Sequence, residues 1–263
     1  MGLIPVGIKW DISLLLKLLG WSLLLALLSV LRFYPSSASL EDLMISAYGT
    51  IDVYAVQTVI PVFMWILPFL VSNFNFGEHI AKQLDRHAVY LFTRTARRKS
   101  WLVKQAMYLS HYVIVFQLLL QGSTVLLGYI SGLKAASLFT LWEVTIGITA
   151  LLSLSGILLV LTINFLSLSL SAVVSSVLVL SYQLIALFTA GSLLRVSTAY
   201  YTQLKWMPLT QGVYGWQASI FTGTEKVKSY LGDGVRFAGC YMIVAIIVVL
   251  LIGLRKINRL DIY

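Results

Sequence analysis

The chain has 263 residues, of which 59% are hydrophobic and only 11% are charged. A soluble domain of this length cannot bury so much apolar surface, so the composition excludes a soluble globular protein and predicts a polytopic membrane protein. The net charge of +9, from 19 Lys+Arg against 10 Asp+Glu, favours cytoplasmic loops and anionic lipid over nucleic acid as the partner. The single cysteine excludes an intrachain disulfide.

The first apolar segment, residues 12–31, predicts a membrane-spanning helix. Lys17 lies close to its start and the small residues "SSAS" follow it at 36–39, as in a signal peptide. We interpret the segment as an uncleaved helix, because the long Lys17 side chain can reach back to the membrane surface.

Later apolar segments predict five more spans. Val144–Leu194 is a run of 51 residues without a charge. At about 1.5 Å per residue it is too long for one crossing, so we expect a hairpin. Its turn is predicted at "NFLSLSLS", 164–171, where Asn and Ser can satisfy freed backbone groups. The predicted fold is therefore all-α, a single transmembrane domain over residues 1–263. The six spans are residues 12–31, 53–72, 105–130, 138–163, 170–194 and 237–254.

The distribution of basic residues predicts the orientation of the spans. Residues 74–104 hold seven Lys/Arg and two acids, and the C-terminal 255–263 hold three basic residues, so both are assigned to the cytoplasm. Four crossings lie between them, which makes the two assignments consistent. Segment 32–52, with one basic residue and three acids, belongs outside, whereas 195–236 is placed outside despite its five basic residues. We expect a multi-pass protein of the cell membrane with both termini cytoplasmic.

Enzyme motifs are absent from the sequence. There is no G-x-x-x-x-G-K-[ST] loop, so the chain itself is not expected to hydrolyse ATP by that route, and neither H-E-x-x-H nor G-x-S-x-G occurs. The three histidines, His79, His87 and His111, have no cysteine or carboxylate at ligand spacing. We therefore predict no metal site, no cofactor in this chain and no catalytic residue.

Three residues in or near the spans are candidates for gating or for a cargo route. Glu143 is the only acid inside the apolar runs, where burial of a charge is costly; an interfacial anchor is the alternative reading. Pro61 and Pro68 lie seven residues apart, on about the same helical face, and indicate either a packing bend or a hinge. Four glutamines of the spans are expected to form interhelical hydrogen bonds rather than to bind cargo. These are Gln57, Gln117, Gln121 and Gln183.

The loop before the third span predicts a helix on the membrane surface. From Glu78 to about Tyr90 apolar residues recur at four-residue spacing, opposite a charged face. The apolar positions are Ile80, Leu84 and Ala88, and the charged ones Lys82, Asp85 and Arg86. Four cations follow, which we call the basic cluster: Arg94, Arg97, Arg98 and Lys99. We expect anionic lipid to hold this cluster, and the helix either has no partner or docks to one.

The chain resembles the permease subunits of the ABC-2 type transporter family along nearly its whole length. Besides the six spans, "GIKWDISLLLK" at 7–17 is similar to the family's interfacial N-terminal helix, and "FGE" at 76–78 to the opening of its first cytoplasmic loop. "YYTQLKWMPLTQGVYGW" at 200–216, with Pro208 near its centre, resembles the re-entrant helices before the last span. The tail "RLDIY" is also similar.

The resemblance implies an exporter subunit driven by a separate ATPase subunit, which binds the ATP and Mg²⁺. It also implies a second permease subunit, in a homodimer or a heterodimer. The coupling helix that docks in the ATPase would carry Glu78, Lys82, Asp85 and Arg86, and the basic cluster would hold it at the membrane. The charge-free spans suit a hydrophobic or amphiphilic cargo such as a peptide, lipid or drug. An integral-membrane enzyme, or a sensor or scaffold without transport, are the alternatives.

Overall fold

The computed structural model describes residues 12–51, 59–84, 98–196, 206–217 and 233–258. All regular secondary structure within these ranges is helical. Six of the helices are long and apolar enough to cross a membrane, as the sequence predicts. The protein is therefore an all-α membrane protein with six candidate spans.

The described residues contain eight α-helices with assigned bounds, besides a short helical segment at 79–84. They are α1 (Ile12–Phe33), α2 (Leu40–Met44), α3 (Val59–Phe76), α4 (Arg98–Ile130), α5 (Leu138–Leu166), α6 (Ala172–Val196), α7 (Tyr214–Gln217) and α8 (Asp233–Asn258). Short 3₁₀ turns cover Tyr34–Ser36 and Pro208–Gly212, and a π-helical turn covers Ile45–Gly49. After α3 the chain turns at 77–78 and is helical again over 79–84.

Several spanning helices are longer than their predicted apolar cores. The helix α4 has 33 residues, about 50 Å at 1.5 Å per residue, whereas a hydrocarbon core is about 30 Å thick. Its first turn carries Arg98 and Lys99, which hydropathy assigns to the loop. The backbone thus stays helical into the polar interface, where charged side chains are solvated. Residues 53–58 of the predicted second span lie outside the described residues.

Successive long helices run in opposite directions, so the bundle has two ends. The Gly77 end contains the turns at 77–78 and 167–171. The Gly132 end contains the turn at 131–137 and the segment 34–51 that packs on it. The number of crossings is even, which places the start of α1 and the end of α8 together at the Gly77 end.

Helix α5 forms the axis of the bundle and packs against α3, α4, α6 and α8. Most of its residues are buried, as expected of a helix whose sequence is apolar on nearly every face. A side chain at Gly156, in the middle third of α5, would meet Val113 of α4 and lie against Phe69 of α3. Small residues allow such close approach between membrane helices. Three helices therefore meet at this glycine, which lies near the middle of the bundle along the helix axes.

The turn between α5 and α6 is close to its predicted position. Helix α5 ends at Leu166 and α6 begins at Ala172. The Ser171 side chain accepts a hydrogen bond from the Val174 N–H at 3.3 Å, which caps α6. The Ser167 N–H donates to the Ile163 carbonyl at 2.8 Å. Serine and its backbone thus satisfy the turn, as the sequence indicates.

At the Gly132 end, two connections are joined by hydrogen bonds. Gly132 has φ of 98°, a left-handed conformation that glycine adopts without strain, and it directs the chain away from α4. The Leu40 N–H donates to the Lys134 carbonyl at 3.1 Å. The start of α2 is thereby fixed beside the turn that precedes α5.

The carboxylate of Glu41 caps α5 from this neighbouring connection. Its two oxygens accept the backbone N–H groups of Ala136 and Ser137, each at 3.1 Å, and Ser137 is the N-cap residue of α5. Burial raises the pKa of Glu41, but these bonds, its own N–H and the Ser39 hydroxyl together lower the pKa below its ordinary value of 4.5. The negative charge also complements the positive end of the helix.

We expect the Glu41→Gln protein to be less stable by about 2 kcal/mol at neutral pH, because a neutral amide accepts only one of the two bonds well. Because folding lowers this pKa, the carboxylate stabilises the protein fully above pH 4.5. That contribution is lost as the pH falls through the lower folded value. Thermal unfolding in detergent between pH 7 and pH 3 should show the difference between wild type and variant shrinking. Asp42→Asn, one residue along and exposed, is the control and should match wild type at every pH.

Candidate functional site

The joint between α3 and residues 79–84 is held by one side chain of α5. Asn164 is fully buried and makes three hydrogen bonds. Its Nδ2 donates to the Phe76 carbonyl at 2.7 Å and to its own helix at Val160, at 2.9 Å. Its Oδ1 accepts the Ile80 N–H at 2.8 Å. One amide thus satisfies the carbonyl that ends α3 and the N–H that begins the next helical segment.

A second contact ties the same joint to α4. The His79 Nε2 lies 3.0 Å from Gln105 Oε1, and the imidazole stacks on the Tyr108 ring with centroids 5.2 Å apart. Residues 79–84 are therefore fixed to both α4 and α5. A movement of this segment would displace both helices with it.

The described part of the predicted surface helix is amphipathic. Ile80 and Leu84 are buried, whereas Lys82 is exposed, as the four-residue spacing predicts. The Lys82 ammonium pairs with the Glu78 carboxylate at 2.6 Å, but Lys82 is exposed and Glu78 is only half-buried, so solvent screens the pair and it adds little stability. Both also line a polar pocket of about 160 Å³ with His79 and Gln83. Asp85 and Arg86 lie outside the described residues.

The basic cluster is described only in its second half. Arg98 is half-buried and Lys99 is exposed, both in the first turn of α4 at the Gly77 end. Arg94 and Arg97 lie outside the described residues. The cations occupy a helix N-terminus, which the helix dipole makes unfavourable for positive charge.

The structure does not join the three predicted gating residues into one site. Pro61 lies in the first turn of α3, where a missing N–H costs little, so it is a poor hinge. Pro68 lies inside α3 and is buried, and the Ser72 hydroxyl donates to its carbonyl at 2.9 Å. Glu143 is half-buried in the second turn of α5, near the Gly132 end. Only Pro68 lies near mid-depth.

Polar side chains with no hydrogen-bond partner surround the Gly156 junction. Among the described residues, Trp65 Nε1, Ser153 Oγ and both amide atoms of Gln117 are buried without one. Each lies about one helical turn from the junction, in the direction of the Gly132 end: Trp65 before Phe69, Gln117 after Val113 and Ser153 before Gly156. Helical geometry places all three at one depth, near the middle of the bundle.

Gln121 extends this set by one turn along the same face of α4. It is 1% exposed, and neither amide atom has a hydrogen-bond partner within the described part of the chain. The expectation that Gln117 and Gln121 hydrogen-bond between helices is therefore wrong for this conformation. The hydrocarbon of a membrane offers no replacement for water as a partner. The sequence signal was present, since two amides four residues apart share one helical face.

The segment 206–217 closes the bundle at the same depth. Gly212 approaches Ser155 and the Trp65 ring so closely that it leaves no room for a side chain. Further along, the Trp216 indole N–H donates to the Ile51 carbonyl at 2.9 Å. The short helical turns of this segment are largely buried, as backbone at membrane depth without a long regular helix must be.

The two ends of this segment lie at different depths along α8. The Tyr241 hydroxyl donates to the Trp206 carbonyl at 2.6 Å, two turns into α8. Gly234, at the start of α8, packs against the backbone of Gln217. The segment therefore rises from mid-depth towards the Gly132 end, antiparallel to α8.

Comparison with known proteins gives one match. Residues 38–263 match the family described as a protein of unknown function, DUF2705. The chain belongs to the DUF2705 family. The matched range contains the Asn164 joint, the mid-depth polar groups and the segment 206–217, so the whole candidate site of this DUF2705 chain lies within it. No curated protein and no solved structure matches the chain.

The contrast between Asn164 and Gln117 in this DUF2705 chain gives a test. Asn164→Leu removes the partner of a buried carbonyl and a buried N–H, so we expect a loss of about 3 kcal/mol of stability. Gln117→Leu keeps the size of the side chain and removes an amide without partners, so we expect a gain of about 1 to 3 kcal/mol. Thermal unfolding of the purified variants, followed by tryptophan fluorescence, measures both.

Gln117→Asn is the control for the second variant, because it keeps an amide and shortens the side chain. It should not share the gain. If Gln117→Leu instead unfolds at a lower temperature than wild type, the Gln117 amide does have a hydrogen-bond partner in the membrane. The statement that this amide is unsatisfied at mid-depth would then be wrong.

Proposed function

We propose that this chain is the permease subunit of an ABC-2 type exporter, which moves a hydrophobic or amphiphilic cargo such as a peptide, lipid or drug. A separate ATPase subunit, which binds ATP and Mg²⁺, drives it, and a second permease subunit completes the pathway as a homodimer or a heterodimer. The observation that carries the proposal is the Asn164 joint. It fixes a helical segment that carries exposed charge to α5, the helix at the axis of the bundle.

A coupling helix needs an exposed surface for the ATPase and a stiff connection to the spans. Glu78 and Lys82 supply charge on the exposed side of the segment. The connection runs through Asn164 to α5 and through His79 to α4. Asp85 and Arg86 extend the charged face in the sequence. A displacement imposed by a partner would thus reach two spans directly.

The basic cluster holds this segment to the membrane in the proposal. Arg98 and Lys99 lie at the start of α4, at the Gly77 end, where cations can reach the phosphates of anionic lipid. Arg94 and Arg97 precede them in the sequence and add to the same surface. The cluster binds anionic lipid, and it need not contact ATP or nucleic acid.

The cargo route runs through mid-depth. Trp65 and Gln117 supply polar groups without partners there, and Pro68 gives α3 a point at which it can bend. The segment 206–217 acts as the re-entrant element that closes the route from the Gly132 end. Glu143 lies near the end of this proposed route, at the Gly132 end of the bundle. Pro61 contributes to packing at the start of α3.

In this proposal the Gly77 end faces the cytoplasm, so both termini are cytoplasmic. Of the predicted interfacial segment 7–17, residues 7–11 lie outside the described residues and 12–17 belong to α1. The protein is placed in the cell membrane. The basic residues of α4 and of the C-terminal end of α8 then follow the positive-inside rule.

Cysteine labelling tests this orientation. After Cys240→Ser, a cysteine at Ser37 or at Thr224 should react with an impermeant thiol reagent added to intact cells. A cysteine at Ser100 should react only after permeabilisation. Thr224 lies in the basic outer segment, so labelling of that position from the inside alone would contradict the six-span orientation.

Two sets of substitutions at the Gly77 end should fail in different ways. Glu78→Ala should weaken association with the ATPase, because it removes an exposed charge of the docking face. Replacing all four residues of the basic cluster by Gln removes roughly 1 kcal/mol of surface attraction per cation before screening. That variant should still insert and bind the ATPase, while cargo movement per ATP hydrolysed falls. Copurification, ATPase activity and transport in vesicles measure these effects.

The controls are Asp42→Ala and Lys134→Gln, exposed charges at the opposite end, which should change neither property. The chain alone should show no ATPase activity, and activity should appear with the partner ATPase. Robust hydrolysis by the isolated chain would favour the enzyme alternative. If the four-Gln variant moves cargo normally per ATP hydrolysed at low and physiological salt, the basic cluster only orients the spans and has no role in coupling. Absence of any ATPase partner from the purified complex would favour the sensor or scaffold.

A further inference from the structure

A groove between α5, α6 and α8 opens on the outer surface of the bundle. It has a volume of about 550 Å³, several times the ~150 Å³ apolar cavity that holds a benzene molecule. Along α8 it runs from Tyr241 to Val249, about 12 Å at 1.5 Å per residue. Its size and shape suit a hydrocarbon chain rather than a single small ring.

The groove is almost entirely apolar. Leucine and valine side chains from three helices form most of its walls. Three hydroxyls also line it: those of Thr162 and Tyr241 donate to backbone carbonyls, and Tyr182 is an exposed side chain. Pro208 lines the groove beside Tyr241, at the foot of the segment 206–217, and no Asp, Glu, Lys, Arg or His lines the groove. The mid-depth end therefore suits a methyl terminus and cannot solvate a charged headgroup.

The opposite end of the groove leads to two cations. Arg255 and Lys256 lie seven residues after the lining residues Val248 and Val249, so each continues one of the lining stripes of α8 about two turns further. The Lys256 Nζ donates to the carbonyl of Phe165 at 2.8 Å, next to the lining residue Leu166. Its positive charge therefore stands at the mouth of the groove at the Gly77 end.

Neither cation has a counterion in the described part of the chain. The partner of Lys256 is a neutral carbonyl, and the ion pair found among the described residues is that of Glu78 with Lys82. An ammonium has three donors, so Lys256 keeps two for another ligand. Arg255 is exposed beside it and presents a planar guanidinium that matches a phosphate.

We propose that this groove is a binding site for one acyl chain of an anionic phospholipid from the leaflet at the Gly77 end. The chain lies along α5 and α8 with its methyl end near Pro208. The headgroup phosphate lies at Arg255 and Lys256. The proposal does not depend on an ATPase or on transport, so it stands or falls separately from the exporter function.

Lipid retention by the purified full-length chain tests the proposal. The protein is equilibrated in detergent with equal amounts of phosphatidylglycerol and phosphatidylcholine and then washed, and retained lipid is counted by native mass spectrometry. We expect phosphatidylglycerol to be retained at least about tenfold over phosphatidylcholine, from two cations at the headgroup. Arg255→Gln with Lys256→Gln should remove this preference. Ala245→Trp, which fills the groove, should remove retention of the lipid.

Ile247→Trp is the matched control, because Ile247 is exposed on the same helix and does not line the groove. It should retain lipid like wild type. A phosphatidylglycerol with a photoreactive acyl chain tests the wild-type protein without any substitution that could disturb folding. Crosslinks should concentrate in the α5 and α8 peptides that line the groove, and labelling spread evenly over the exposed faces of α1 and α8 would overturn the proposal.

Equal retention of the two lipids by wild type would also overturn it. So would equal loss of lipid in Ala245→Trp and Ile247→Trp. If a cysteine at Val248 in the Cys240→Ser protein crosslinks two copies while the photoreactive lipid leaves the groove unlabelled, a second copy of the chain covers this face, and the lipid site is refuted.

Discussion

The hydrogen bonds of Asn164 are the interaction on which the Gly77 end depends. Within a membrane every backbone polar group needs an internal partner, and the break at Gly77 leaves a carbonyl at Phe76 and an N–H at Ile80 without helical ones. One amide satisfies both because it carries a donor and an acceptor side by side. The exposed segment after the break therefore has one defined position relative to α5.

Polar groups are satisfied unequally along the bundle. Each end has a buried side chain that binds backbone from a distant part of the chain, Asn164 at one end and Glu41 at the other. At mid-depth, by contrast, Gln117 and Gln121 have no hydrogen-bond partner among the residues that the structure describes. Such groups are costly in hydrocarbon unless another conformation or a ligand satisfies them. The contrast between hydrogen-bonded ends and an unsatisfied centre is an observation behind the proposed cargo route.

Positive charge at the Gly77 end comes from two separate parts of the chain. Arg98 and Lys99 stand at the start of α4, and Arg255 and Lys256 stand at the end of α8. In the proposals above, the first pair holds the coupling segment at the membrane and the second binds the lipid headgroup at the mouth of the apolar groove. One anionic leaflet would contact both, so lipid composition would influence the two sites together.

The sequence by itself determined the class of the protein, its six helices, the α5–α6 turn and the amphipathic character of 79–84. Bilayer thickness and helical periodicity act locally, so these features are legible in short windows. The turn at "NFLSLSLS" shows what a short stretch of sequence does not specify. Its serines serve the turn as expected, but its asparagine binds backbone 84 and 88 residues away. The partners of Asn164, the lack of partners at Gln117, the burial of 206–217 and the groove beside α8 were decided only by the tertiary structure. Each depends on which faces of distant helices meet, and local hydropathy does not specify that.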